Sequence, residues 1–138
     1  MRRNLLFFAL AFVFASSCSQ GNDAEQVAEQ FLASYLDCDF SRASKFASAE
    51  MLDAISWRAS NLTQADLDVL NEREMPVAVE VDEVESFADS CVVTLTASDA
   101  LLVDSIGSTA RVGEARFRMT LRKEKGSNWK VATLVPFS

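Results

Sequence analysis

The chain reads as an α+β domain, with N-terminal helices packed on an antiparallel sheet of about four strands. Three observations predict this. Apolar residues recur at helical spacing from Ala24 to about Arg73, Pro76 closes that half, and period-two alternation then runs to the C-terminus. Helices followed by strands indicate a layer fold in which the helices cover one sheet face.

The first helix is predicted over 24–36, where Val27, Ala28, Phe31, Leu32, Tyr35 and Leu36 form one stripe and Asp23 is placed to cap it. Asp37-Cys38-Asp39 breaks it, and Asp39 can cap a second helix over 40–55 with the stripe Phe40, Ala43, Ala47, Met51 and Ile55. Trp57 then closes the core edge, with an interface anchor as the alternative if it is exposed. Thr63 followed three residues later by Asp66 is a capping-box variant that opens a third helix to about Arg73. Asn61-Leu62-Thr63 is a glycosylation sequon, read here as a loop and cap.

Four strands follow. Val77, Val79 and Val81 face one way, with Ala78, Glu80 and Asp82 opposite. Cys91, Val93, Leu95 and Ala97 oppose Val92, Thr94 and Thr96. Ala115, Phe117, Met119 and Leu121 oppose Arg116, Arg118, Thr120 and Arg122. Lys125-Gly126-Ser127-Asn128 reads as a turn, and Trp129 to Phe137 as the last strand. Gly107 and Gly113 bracket less regular chain that can bend the sheet.

Ahead of this domain lie Arg2 and Arg3, the apolar run from Leu5 to Phe14, the small residues Ala15, Ser16 and Ser17, and Cys18. A basic start, an apolar middle and a small-residue end define a secretory signal, and the run is too short to span a bilayer. Cys18 followed by Ser19-Gln20-Gly21-Asn22-Asp23 resembles the lipobox of bacterial lipoproteins. That resemblance implies cleavage before Cys18 and lipid on its sulfur. The chain then divides into a signal peptide at 1–17, a lipidated cysteine and tether at 18–23, and one domain at 24–138. It also implies anchorage in the cell envelope, at the outer membrane if Ser19 acts as a sorting residue. Ala15 stands where the lipobox usually has Leu, and Val13-Phe14-Ala15 fits ordinary signal cleavage, so a soluble periplasmic or secreted form is the alternative.

Three cysteines in an exported chain leave one over. With Cys18 lipidated, Cys38 and Cys91 are the candidate disulfide, closing a loop of about 53 residues worth roughly 4 kcal/mol. Two separately buried thiols are the alternative.

The order of elements resembles small bacterial lipoproteins with a cystatin-like, nuclear-transport-factor-two-like fold. The residues that carry it are Gln30-Phe31-Leu32, Tyr35-Leu36, Asp39-Phe40, Ala43 and Phe46, then Phe117-Arg118-Met119-Thr120-Leu121, Gly126 and Trp129-Lys130-Val131. The resemblance implies a curved sheet wrapped around the first helix as a cone that can hold a pocket. Several members are domains of unknown function, and relatives include isomerase-like and dehydratase-like enzymes.

The chain contains no histidine, which removes the commonest general base and the commonest metal ligand. Its cysteines have no zinc spacing, and it has no glycine-rich phosphate loop. No cofactor or metal is expected and no catalytic residue is assigned. The enzyme alternative rests on Tyr35 with Asp37, Asp39, Asp89 or Asp99, against the ordinary reading of a core tyrosine with capping aspartates.

Net charge is −7, and loss of Arg2 and Arg3 leaves 11 basic against 20 acidic residues, a net of −9. Residues 19–110 carry 18 acids and 4 bases, whereas residues 111–138 carry 7 bases and 2 acids. An acidic chain argues against nucleic acid as a partner. Arg116, Arg118 and Arg122 share one strand face, which can receive an anionic group or acidic protein or form a homodimer interface. The alternative is internal pairing with Glu80 and Asp82 across the sheet. The expected function is therefore a lipid-anchored binding or assembly module. A small isomerase- or dehydratase-like enzyme and a sheet-face homodimer stand as alternatives.

Overall fold

The structure, a computed structural model, describes residues 19–103, 110–124 and 128–137. The signal segment, Cys18, Gly107 and the turn at 125–127 lie outside the described residues. Four helices precede four strands: α1 Ser19–Leu36, α2 Phe40–Ser44, α3 Ala49–Asn61, α4 Gln64–Glu72, then β1 Ala78–Ser86, β2 Ser90–Leu102, β3 Arg111–Glu124 and β4 Asn128–Phe137. The strands form one antiparallel meander in the order β1-β2-β3-β4. The α+β architecture read from the sequence is the one observed.

The period-two residues take the predicted faces. Cys91, Val93, Leu95, Ala97, Phe117, Met119 and Leu121 are buried against the helices. From α1 come Ala24, Ala28, Phe31, Leu32 and Leu36, each no more than 1% exposed. Met51 and Ile55 of α3 cover the same core. Burying a side chain such as Phe31 or Leu36 contributes about 1.5–3 kcal/mol, so the α1 stripe is a principal source of stability.

Three register shifts bend the sheet. They fall between Val81 and Glu83 on β1, between Ala97 and Ala100 on β2, and opposite Thr120 and Leu121 on β4. Asp99, inside the second shift, has φ 55°, the left-handed region. Gly113 pairs with Ala100 at that shift. A Cβ there would approach Arg111 Nη1 to 2.7 Å, a contact that a flexible side-chain end can relieve.

The helical half differs from expectation in three places. First, the described part of α1 already includes Ser19, so Asp23 lies within the helix and does not cap it, and residues 19–23 are helical where a flexible tether was expected. Second, the expected helix over 40–55 is two helices. Between them the chain pairs with β4: Val131 N–H donates to the Phe46 carbonyl at 2.8 Å, and Ser48 N–H donates to the Val131 carbonyl at 2.9 Å. Ser48 then caps α3, its hydroxyl accepting from Met51 N–H. Third, α3 extends to Asn61 and leaves Trp57 59% exposed, so that ring does not close the core edge. Asp39 caps α2 and the Thr63–Asp66 capping box opens α4, as the sequence indicates.

Cys38 and Cys91 are both free thiols, which overturns the expected disulfide. Cys38 follows α1 with φ 62°, in a Schellman-type stop: its N–H donates to the Tyr35 carbonyl and Asp39 N–H donates to the Ser34 carbonyl. Arg73, which bonds Asp37, also bonds the Asp99 carbonyl, placing Cys38 at the far end of β2 from Cys91. The eight residue steps along β2 from Cys91 to Asp99 correspond to roughly 25 Å, well beyond the reach of a disulfide.

Candidate functional site

Two regions gather polar side chains: the mouth of the cone at the C-terminal end of α1, and the outer sheet face. At the mouth, Tyr35 stacks on Phe31 with ring centres 5.5 Å apart and meets the edge of Phe40 at 6.3 Å. The Arg58 guanidinium lies over the Tyr35 ring, 4.7 Å from its centre, and Arg58 Nη2 donates to the Leu101 carbonyl at 3.2 Å. Arg58 Nε is buried with no hydrogen-bond partner. Burial pushes the Tyr35 phenol above its ordinary pKa, with Arg58 opposing the rise. Burial likewise raises the Cys38 thiol.

Two aspartates of the enzyme alternative, Asp37 and Asp39, have side-chain partners other than Tyr35. Asp37 pairs with Arg73 at 2.5 Å. Asp39 accepts from Arg42 N–H as the cap of α2. The Asp99 carbonyl accepts from Arg73, and the Asp89 carbonyl accepts from Lys123 N–H. The space between α1 and the sheet is occupied by Phe31, Leu32, Leu95, Met119 and Leu121, all essentially unexposed.

Among the described residues Asp66 is the one buried carboxylate, 3% exposed. It accepts from Thr63 N–H at 3.0 Å and from Ala110 N–H at 3.0 Å. Those two backbone donors hold its pKa below the usual carboxylate value. The sequence marks Asp66 as a helix cap. Its second task, fixing the chain where it enters β3, depends on a partner 44 residues away and leaves no local signal.

On the outer face, Arg116 and Arg118 both lie over the Phe137 ring, at 4.7 and 4.9 Å from its centre. Val135 beside them is 54% exposed. Arg122 is separate: its Nη2 donates to both carboxylate oxygens of Glu50 of α3, at 2.6 and 2.7 Å, which raises its pKa. The acids of β1 do not touch these arginines directly, because β2 stands between. Thr96 pairs with both Glu80 and Arg116, and its hydroxyl donates to Asp82 at 2.6 Å. Open hollows remain on this face. One of about 540 Å³ is lined by Glu114, Ala115, Arg116, Pro136 and Phe137. Another of about 330 Å³ is lined by Glu83, Glu85, Val92, Thr94 and Arg118.

A third hollow, of about 320 Å³, lies along α1 beside Val79 of β1, between Glu29, Ser34, Asp37, Asp39 and Arg42. Among the described residues no three Cys, Asp or Glu side chains are grouped so as to hold a metal ion. No described helix is long and apolar enough to cross a membrane.

The architecture is that of the nuclear-transport-factor-two-like and ketosteroid-isomerase-like α+β fold. A ketosteroid isomerase-like protein from Erwinia carotovora atroseptica superimposes with a TM-score of 0.51, at 17% identity, over 83% of this chain and 94% of that one. A de novo designed protein with a curved β-sheet gives a TM-score of 0.49 at 13% identity, over 83% of this chain and 99% of that one. At these identities the likeness concerns the fold alone. No protein-family model and no curated protein matches the chain.

Proposed function

We propose that the protein is a lipid-anchored module of the cell envelope, held through Cys18, that acts by binding on its outer sheet face. The observation that carries this reading is the contrast between that face and the cone. Between α1 and the sheet the described side chains Phe31, Leu32, Leu95, Met119 and Leu121 are buried, and the carboxylates of Asp37 and Asp39 at the mouth are committed to Arg73 and to a helix cap. The outer face instead presents Arg116 and Arg118 around one aromatic ring, beside open hollows. Guanidinium groups held in this way can accept carboxylates or phosphates in a two-pronged mode.

Fractionation and intact mass test the anchor. Wild-type protein should partition with membranes and carry acyl mass on Cys18, and Cys18→Ser should be soluble. A soluble wild-type protein beginning at Ser16 contradicts the reading.

A second reading concerns assembly. The outer face carries an acidic stripe on β1, from Glu80 to Glu85, and arginines on β3, with exposed Val135 beside them. Related by a two-fold axis, two such faces place acids against arginines, a self-complementary arrangement. Sedimentation should then show a dimer that Arg118→Glu dissociates. A monomeric wild-type mass overturns the dimer and leaves the binding module in place.

A further inference from the structure

The meander brings both hairpin ends to the side of the fold where α1 begins. β1 passes to β2 through Phe87, Ala88 and Asp89, while β3 ends at Glu124 and β4 starts at Asn128. Lys123 N–H donates to the Asp89 carbonyl at 3.0 Å and ties the two ends together. The start of α1 lies on this side, because its far end is tied through Asp37 and Arg73 to the Asp99 carbonyl, toward the other end of β2.

This end has a distinctive chemistry. Phe87, in the β1–β2 turn, is 57% exposed. Trp129 is half-buried against the core, with the Lys123 ammonium 5.4 Å from its ring centre. Lys130 Nζ donates to the carbonyl of the exposed Lys45 at 2.6 Å. Two aromatic rings and three lysines therefore lie at the end of the fold from which α1 starts. The combination suits a membrane interface: aromatic rings settle at headgroup depth, and lysine stems lie along apolar surface while their ammonium groups reach phosphates.

We propose that this end, with Phe87 and Trp129 as its apolar contacts and Lys45, Lys123 and Lys130 around them, rests on a phospholipid surface. The inference deepens the anchoring reading and depends on it. Cys18 stands one residue before α1, and Glu25 is six residues into the helix from Ser19, about 9 Å of rise. A lipid on Cys18 therefore holds this end, and no other, next to the bilayer. Glu25, Asp89 and Glu124 at the same end equal the three lysines in number, so the end carries no positive excess. Insertion of the rings thus carries the contact.

The test uses the two tryptophans, which lie at opposite ends. Trp57 adjoins Arg58, whose partner Leu101 is eleven residues along β2 from Ser90, roughly 30 Å away. Lipidated mature protein is reconstituted in phosphatidylethanolamine–phosphatidylglycerol vesicles, with or without bromine on the acyl chains near the headgroup. In the Trp57→Phe protein, emission from Trp129 should be quenched by the brominated lipid. In the Trp129→Phe protein, emission from Trp57 should be unaffected. Phe87→Asp combined with Lys123→Glu, both on the surface, should abolish the Trp129 quenching while the protein stays on the vesicles. Equal Trp129 emission from brominated and plain vesicles, with the lipid confirmed by mass, overturns the docking and spares the anchor. A mature mass without lipid overturns the anchor and the docking geometry with it.

Discussion

Arg58 lies flat over Tyr35, its guanidinium carbon 4.7 Å from the ring centre, and the same side chain hydrogen-bonds the Leu101 carbonyl. The contact joins α3 to the end of α1 and to β2. It also gives the tyrosine its environment. A cation on one face, Phe31 on the ring stack and Phe40 at the edge leave the phenol as a packed group.

The first prediction concerns that phenol. Tyr35 is the one tyrosine of the chain, so its ionisation can be followed by ultraviolet absorbance without interference. Its folded pKa is raised above the ordinary value of 10.0. Ionisation should therefore appear at higher pH in the folded protein than in urea. The associated stability is fully present below pH 10, and it is lost as pH rises through the folded value. Tyr35→Phe should cost less than about 1.5 kcal/mol, because the ring contacts survive, whereas Tyr35→Ala should cost about 3–5 kcal/mol.

Asp66 has the opposite sign. Its folded pKa lies below the ordinary 3.8, so its contribution is present above that value and is lost as pH falls through the folded one. Asp66→Ala removes the acceptor for Thr63 and Ala110 N–H and should cost about 1–3 kcal/mol by urea unfolding at neutral pH. The difference between wild type and variant should shrink at acid pH.

Cys38 separates the free-thiol structure from a cross-linked one. It occupies a left-handed position that glycine fills without strain. Cys38→Gly should stabilise the protein by about 0.5–1 kcal/mol. A disulfide to Cys91 would reverse the sign, with a loss of about 2–5 kcal/mol. Dithiothreitol should leave the wild-type urea midpoint unchanged, and Cys91, 1% exposed, should react with thiol reagents only on unfolding.

Ser48 tests the division of the expected long helix. Ser48→Ala should cost about 1 kcal/mol through loss of the α3 cap. Amide exchange should show Val131 protected, because its N–H is bonded to the Phe46 carbonyl.

The strands were legible because their chemistry is local: each inward residue on β2 and β3 differs in kind from its sequence neighbours, and the pleat converts that alternation directly into two faces. The break between α2 and α3 was not legible from the stripe. Phe40, Ala43, Ala47, Met51 and Ile55 keep helical spacing straight through it, and the break comes from backbone bonds to Val131 more than 80 residues away. The cysteine pair failed for a related reason, since parity and compartment say nothing about distance along a sheet.

The site was legible in part. Arg116 and Arg118 stand where the alternation placed them, but the departure of Arg122 to Glu50 and the place of Phe137 between the other two depend on tertiary contacts. Arg58 over Tyr35 is of the same kind: 23 residues separate the pair, and neither position alone announces the contact.

The most direct measurement is methyl NMR of the protein under xenon pressure, read at Leu95, Met119 and Val93. A dry apolar cavity of about 150 Å³ takes up xenon, so an unfilled cone would report itself. A cone filled by α1 predicts methyl shifts in these residues that change only weakly and linearly with pressure. A saturable shift centred on them would reveal an internal pocket beside Tyr35 and contradict a protein that works from its outer surfaces.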